Sequence, residues 1–143
     1  FNQGYETVQY VGAALIDLAL HERVAMDGLD IAAFEAAERE RLGVPADIGL
    51  MHRLQQFRHL FASDGYAAGY YVYLWAEVLD ADAFDAFVEA GDVFDAATAQ
   101  RLLRHVYSRG DSVEPRATYR AFRGRDAAVE PMLRKRGLLP EPV

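Results

Sequence analysis

The chain has 143 residues, 52% of them apolar, which is one domain's worth with enough apolar side chains for a sizeable core. A net charge of −7 argues against a nucleic-acid partner, which asks for a basic face, and no apolar run approaches the roughly 18–20 residues that span a bilayer. Without cysteine, disulfides and thiolate metal ligands are excluded, and the composition fits a cytoplasmic protein.

An opening on Phe1-Asn2-Gln3 reads as a fragment or processed product. The spacing of Val8, Val11, Leu15 and Leu18 then predicts a helix over residues 6–20, and Ala13, Ala14, Ile16 and Leu20 widen its apolar surface into a largely buried element. His21-Glu22 follows. A zinc-peptidase helix needs a second histidine four residues after the first, so that both imidazoles meet one metal. That position holds Ala25, and His21-Glu22 reads as a solvated helix end. Asp30 is placed as the N-cap of a second helix, with Ile31, Phe34 and Leu42 as its apolar edge. Arg39 and Arg41 suit its C-terminal dipole, Gly43 its C-cap, and the charges from Glu35 to Arg41 read as a solvated face.

Residues 44–65 are the least regular part. Pro45 and Gly49 argue against one long helix, and His52, Arg53, Arg58 and His59 concentrate nitrogen donors there, with His52 read as a surface residue. Asp64-Gly65 signals a turn. Residues 67–89 contain no proline and a single glycine, Gly69, and predict one long helix that is apolar nearly all round and therefore buried. Asp80, Asp82 and Asp85 on that helix read as facing water, which leaves little support for a hydrolase built on local carboxylates. Ala90-Gly91-Asp92 breaks the chain. Asp95 caps a helix running to about Tyr107, Glu114-Pro115 opens another around Tyr119 and Phe122, and a last short one carries Val129, Met132 and Leu133 before Gly137. The expected fold class is all-α, with five to six helices in a single domain over residues 1–143.

The densest signal is Gly65-Tyr66-Ala67-Ala68-Gly69-Tyr70-Tyr71-Val72-Tyr73-Leu74-Trp75. It holds four of the eight tyrosines and the only tryptophan. On one continuous helix Tyr66 and Tyr73, seven residues apart, would return to nearly the same face, with Tyr70 on a neighbouring line and Tyr71 facing away. Such a stripe can aim hydroxyl donors at a ligand. Aromatic residues at helical spacing also make ordinary core, with each buried phenol bonded to a backbone carbonyl. Spacing alone leaves both readings open.

That string, with His59-Leu60-Phe61 before it and Ala76-Glu77-Val78-Leu79 after it, resembles the C-terminal region of the thimet oligopeptidase and peptidyl-dipeptidase family, zinc metallopeptidases that cleave short peptides. Phe1-Asn2-Gln3-Gly4-Tyr5, Ser108-Arg109-Gly110-Asp111-Ser112, Tyr119-Arg120-Ala121-Phe122-Arg123-Gly124, Pro131-Met132-Leu133 and Arg136-Gly137-Leu138 resemble it in the same order. The resemblance implies that Tyr66 and Tyr73 stabilise the oxyanion of peptide hydrolysis, and that His59, Gly65 and Tyr70 bind substrate. It implies zinc in the parent enzyme, held by a His-Glu-x-x-His helix and a later glutamate that precede the matched region. No such motif occurs in this chain, which is expected to hold no metal and no cofactor of its own and to be inactive alone. Expected partners are short peptides and the remainder of the parent peptidase, with no nucleic acid, no membrane, and possible self-association through surfaces the parent would cover. The alternative reading is a non-catalytic helical protein-interaction module.

Overall fold

The computed structural model describes residues 1–140, and every regular element among them is helical. In order these are α1 (Gln3–His21), α2 (Ile31–Arg41), three short 3₁₀ turns (Leu54–Gln56, Arg58–Phe61, Asp64–Tyr66), α3 (Val72–Glu89), α4 (Ala96–Leu102), a π turn (Leu103–Tyr107), α5 (Pro115–Arg123) and α6 (Glu130–Lys135). The all-α expectation and its helix number hold. The chain divides into two compact units, Phe1–Tyr73 and a second from Leu74 onward.

In the first unit, α1 buries Ala13, Ile16, Asp17 and Leu20. These positions follow the i, i+3, i+4, i+7 pattern of one helix face. They pack on Leu54, Phe57 and Leu60, with Leu29, Ile31, Phe34, Leu42, Leu50 and Tyr70 around them. The helix begins three residues before the predicted start; Gly12 and Ala14 widen the buried face as expected, while Val8 and Leu15 are exposed. Asp30 caps α2 as predicted: its carboxylate accepts from the amides of Ala32 and Ala33 at 2.9 and 3.0 Å. Asp30→Ala should therefore lower the free energy of unfolding by about 1 kcal/mol in a urea titration. An unchanged midpoint would mean that the cap carries no weight.

Gly43, at φ +67°, ends α2, and the Val44 amide donates back to the Arg39 carbonyl, the bonding of a helix closed by a left-handed glycine. Arg39 also donates to the carbonyls of Pro45, Ala46 and Ile48, so one guanidinium shapes the loop after the helix. Glu35 departs from the expected solvated face. It is buried and accepts from the Leu54 amide at 2.8 Å and from Arg53 Nε at 3.1 Å. The residues after α2 fold back over the helix, and their amides need an acceptor.

In the second unit, Val78 and Ala81 of α3 pack on Met132, with Leu74, Ala127 and Leu133 beside them. The expectation that Asp82 faces water is overturned. Its carboxylate is fully buried, accepts the Tyr119 hydroxyl, and receives Arg123 at 3.2 Å and Arg125 at 2.6 Å. Arg123 reaches on to Glu89 with two bonds of 2.7 and 2.8 Å. Along α3 the acidic side chains Glu77, Asp80 and Asp85 pair with Arg136, Lys135 and Arg134 of the α6 segment. The acids of this helix thus serve as rungs to its neighbours. The expected burial of α3 all round also fails. Trp75, Phe84 and Val88 are more than half exposed.

Candidate active site

The predicted helix from Ala67 does not form there. Ala67 is extended (φ −62°, ψ 134°), Ala68 is left-handed (φ +54°), and α3 starts only at Val72. Ala67 and Ala68 favour helix intrinsically, so tertiary bonds override propensity. The source is Asp17 of α1, none of whose surface reaches solvent. One of its oxygens accepts the Ala68 amide at 3.1 Å and the other the Tyr70 amide at 3.0 Å. The Tyr10 hydroxyl donates to the Tyr70 carbonyl. Backbone groups that a helix would have paired internally are satisfied from α1 instead. His21 is no freely solvated helix end either: its Nδ1 lies 2.8 Å from Asp17 Oδ1. Gly69 permits the tight turn, because a Cβ there would meet the Tyr66 carbonyl oxygen at 3.2 Å.

Tyr66 and Tyr73 therefore share no helical stripe. The turn brings both to His59 instead. Tyr73 Oη and His59 Nε2 are 3.1 Å apart in a hydrogen bond, and the His59 ring lies 4.7 Å from that of Tyr66 and 5.9 Å from that of Tyr73. Both phenols are about half exposed, at 45% and 50%. They open on a recess of about 430 Å3 that His59, Gly65, Gly69 and Tyr71 also line. Four of the five residues expected from sequence, His59, Gly65, Tyr66 and Tyr73, thus line one recess.

The fifth, Tyr70, stands edge-on beside His59 and Tyr73, with ring centroids 6.0 and 5.7 Å away, but does not line the recess. Its ring stacks on Tyr10 with centroids 4.9 Å apart and meets Phe57 edge-on at 4.7 Å, while its hydroxyl donates to the Met51 sulfur. Burial, and then the neighbouring Tyr73, raise its phenol above the usual value. Tyr71, expected to face away, takes its place in the lining and is 49% exposed. A helix frame places these two rings wrongly because the turn shifts the phase by several residues. Asp17, Tyr10 and Tyr71 were not singled out. For Asp17 a signal existed: a lone acid inside Ala13-Ala14-Leu15-Ile16-Asp17-Leu18-Ala19-Leu20, on the apolar face, needs an internal partner.

The donor set is two phenols and an imidazole around one recess, suited to holding a carbonyl oxygen or an oxyanion. Among the described residues no group of three or more histidines, aspartates or glutamates could hold a metal ion. The described residues therefore offer no ligand set that fits zinc. No helix among them is long and apolar enough to cross a membrane.

Residues 1–138 match Peptidase family M3. The chain belongs to that family. The M3 match agrees with individual relatives. The dipeptidyl carboxypeptidase of Salmonella typhimurium is 38% identical over 141 residues, covering 96% of this chain and 20% of that protein. Oligopeptidase A of Escherichia coli is 50% identical over 82 residues, 57% of this chain and 12% of that protein. A protein named probable cytosolic oligopeptidase A of Arabidopsis thaliana is 38% identical over 144 residues, 97% of this chain and 20% of its own length. The chain thus spans about a fifth of the length of the M3 peptidases it matches most broadly.

Proposed function

We propose that this chain supplies the substrate-binding and oxyanion-stabilising face of a zinc-dependent oligopeptidase acting on short peptides. The observation that carries this is the convergence of Tyr66, Tyr73 and His59 on one accessible recess, in a chain of Peptidase family M3. A zinc ion in the parent enzyme would supply an activated water, and its ligands are sought outside this chain. The work assigned to this chain is hydrogen bonding. As a peptide carbonyl becomes tetrahedral, charge gathers on its oxygen, and fixed phenol donors stabilise that state more than the ground state. His59 contributes to holding the substrate backbone, and Gly65 leaves room for it. Tyr70, edge-on to the His59 and Tyr73 rings, backs them and adds to substrate binding. The names of the relatives point both to removal of dipeptides and to oligopeptide cleavage, and the recess suits either.

The test is hydrolysis of a short fluorogenic peptide by the intact peptidase. Removing zinc with a chelator should abolish turnover. His59→Ala should raise KM several-fold with a smaller change in kcat and an unaltered melting temperature, the pattern of lost ground-state binding. A peptidase indifferent to chelation, or a His59→Ala enzyme with unchanged KM, would sink the reading.

A further inference from the structure

We propose that Asp17 is a positioning residue for this site: its carboxylate, with the Tyr10 hydroxyl, holds the turn 67–71 in the one conformation that aims Tyr66 and Tyr73 into the recess. The inference rests on the oxyanion role proposed for those two tyrosines.

The argument starts from what the turn would do unheld. Ala67 and Ala68 are strong helix formers directly ahead of α3. Left to propensity they would extend that helix backwards and carry Tyr66 round onto its surface, seven residues before Tyr73 and away from His59. The structure instead has Ala68 at φ +54°, a conformation that costs a residue with a Cβ on the order of 1 kcal/mol or more and persists only where its surroundings impose it. Asp17 is the imposing group. Its two oxygens take the amides on either side of Gly69, at 3.1 and 3.0 Å. The carboxylate is fully buried, and His21 fixes it from behind at 2.8 Å. The Tyr10 hydroxyl fastens the carbonyl of the same Tyr70. An apolar residue at position 17 would continue the face made by Ala13, Ile16 and Leu20. Such a face would serve the core equally well but could not hold two amides. Asp17 itself does not line the recess, so any effect on turnover passes through the turn.

The experiment uses the intact peptidase with Asp17→Asn, Tyr66→Phe, the double variant and Tyr10→Phe, assayed on a short fluorogenic peptide. Asparagine keeps the shape but presents an NH₂ where one amide expects an acceptor. A displacement of about 1 Å at a catalytic group can cost on the order of 100-fold. Asp17→Asn should therefore lower kcat by about 10- to 100-fold while KM moves little. In the Tyr66→Phe background the same change should cost several-fold less than in the unaltered enzyme, because one of the two donors being aimed is already gone. A residue serving only the fold would lower the melting temperature and leave kcat of the folded fraction intact. Full multiplication of the two effects, or normal kcat in Asp17→Asn, overturns the proposal. If Asp17→Asn does not fold, Tyr10→Phe decides: it keeps the stacked ring, and a several-fold loss in kcat is expected, whereas normal kcat overturns the proposal. Normal turnover in Tyr66→Phe defeats the oxyanion reading itself. A slow Tyr66→Phe beside a normal Asp17→Asn defeats only this inference.

Discussion

Tyr66→Phe or Tyr73→Phe in the intact peptidase should each lower turnover by about 10²–10³-fold, or roughly 3–4 kcal/mol of transition-state stabilisation, the usual loss for one oxyanion donor. Each replacement keeps a ring of nearly the same volume, and both rings are about half exposed, so the fold should survive. KM should change far less than kcat, because the bond strengthens only as charge develops on the oxygen. Tyr73 adds a second signature. Its hydroxyl is bonded to His59 at 3.1 Å, so its loss also unties the imidazole, and KM should rise more in Tyr73→Phe than in Tyr66→Phe. A phosphinic peptide that mimics the tetrahedral state should lose affinity in parallel with kcat/KM. Were the phenols mere packing, both variants would melt lower and turn over normally. Tyr71 is unsuitable as the silent control, since it lines the same recess. Tyr107, exposed in the second unit, is the better choice.

The largest loss of stability should come from Asp82. Its carboxylate answers Tyr119, Arg123 and Arg125 at once, with no solvent to replace it. Removing one partner of a buried ion pair leaves an uncompensated charge, at a cost of about 3–5 kcal/mol. Asp82→Ala belongs at about 3 kcal/mol, the lower end of that range, because Glu89 keeps its hold on Arg123 and Arg125 is partly exposed. Urea unfolding measures this. Asp126→Ala is the contrast, since the Arg116 and Arg120 pairs it removes lie at the surface and should barely move the midpoint.

The same carboxylates set the response to acid. Burial pushes the Asp82 carboxyl upward, but hydrogen bonds from Tyr119, Arg125 and Arg123 outweigh it and hold it below the usual range. Glu77 is held low chiefly by its bond from Arg136, and Glu89 by its bond from Arg123. The unfolded chain then binds more protons than the folded one, so this stability is fully present above the ordinary carboxylate range, near pH 4, and is lost as pH falls through the lowered folded values. Asp82→Ala should show a shallower loss over that window. An acid limb identical to that of the unaltered chain would count against the assignment.

Local signals with a local cause were legible. Asp30 and Asp95 cap helices, Glu114-Pro115 starts one, and Gly43 and Gly137 end two, because each needs only its own backbone. What the sequence hid was decided by partners far along the chain. Asp82 looked like a surface acid until Tyr119, Arg123 and Arg125 closed over it. Ala67-Ala68 looked helical because its true acceptor lies 51 residues upstream. The identities of Tyr66, Tyr73 and His59 came from the resemblance. Their relative placement did not, since α3 starts only at Val72 and Tyr71, in place of Tyr70, lines the recess.

The long reach from Asp17 to the turn carries a consequence for folding. Bonds between residues 51 and 53 apart form only after most of the first unit has collapsed, since closing so long a loop costs entropy before any contact repays it. Local bonds such as that from the Gly69 amide to the Tyr66 carbonyl permit the turn, but its two alanines favour the competing helix. A partly assembled chain can therefore hold all its helices and still present no recess. The tyrosine pair is therefore tied to the docking of α1, and the recess depends on contacts that no single helix carries.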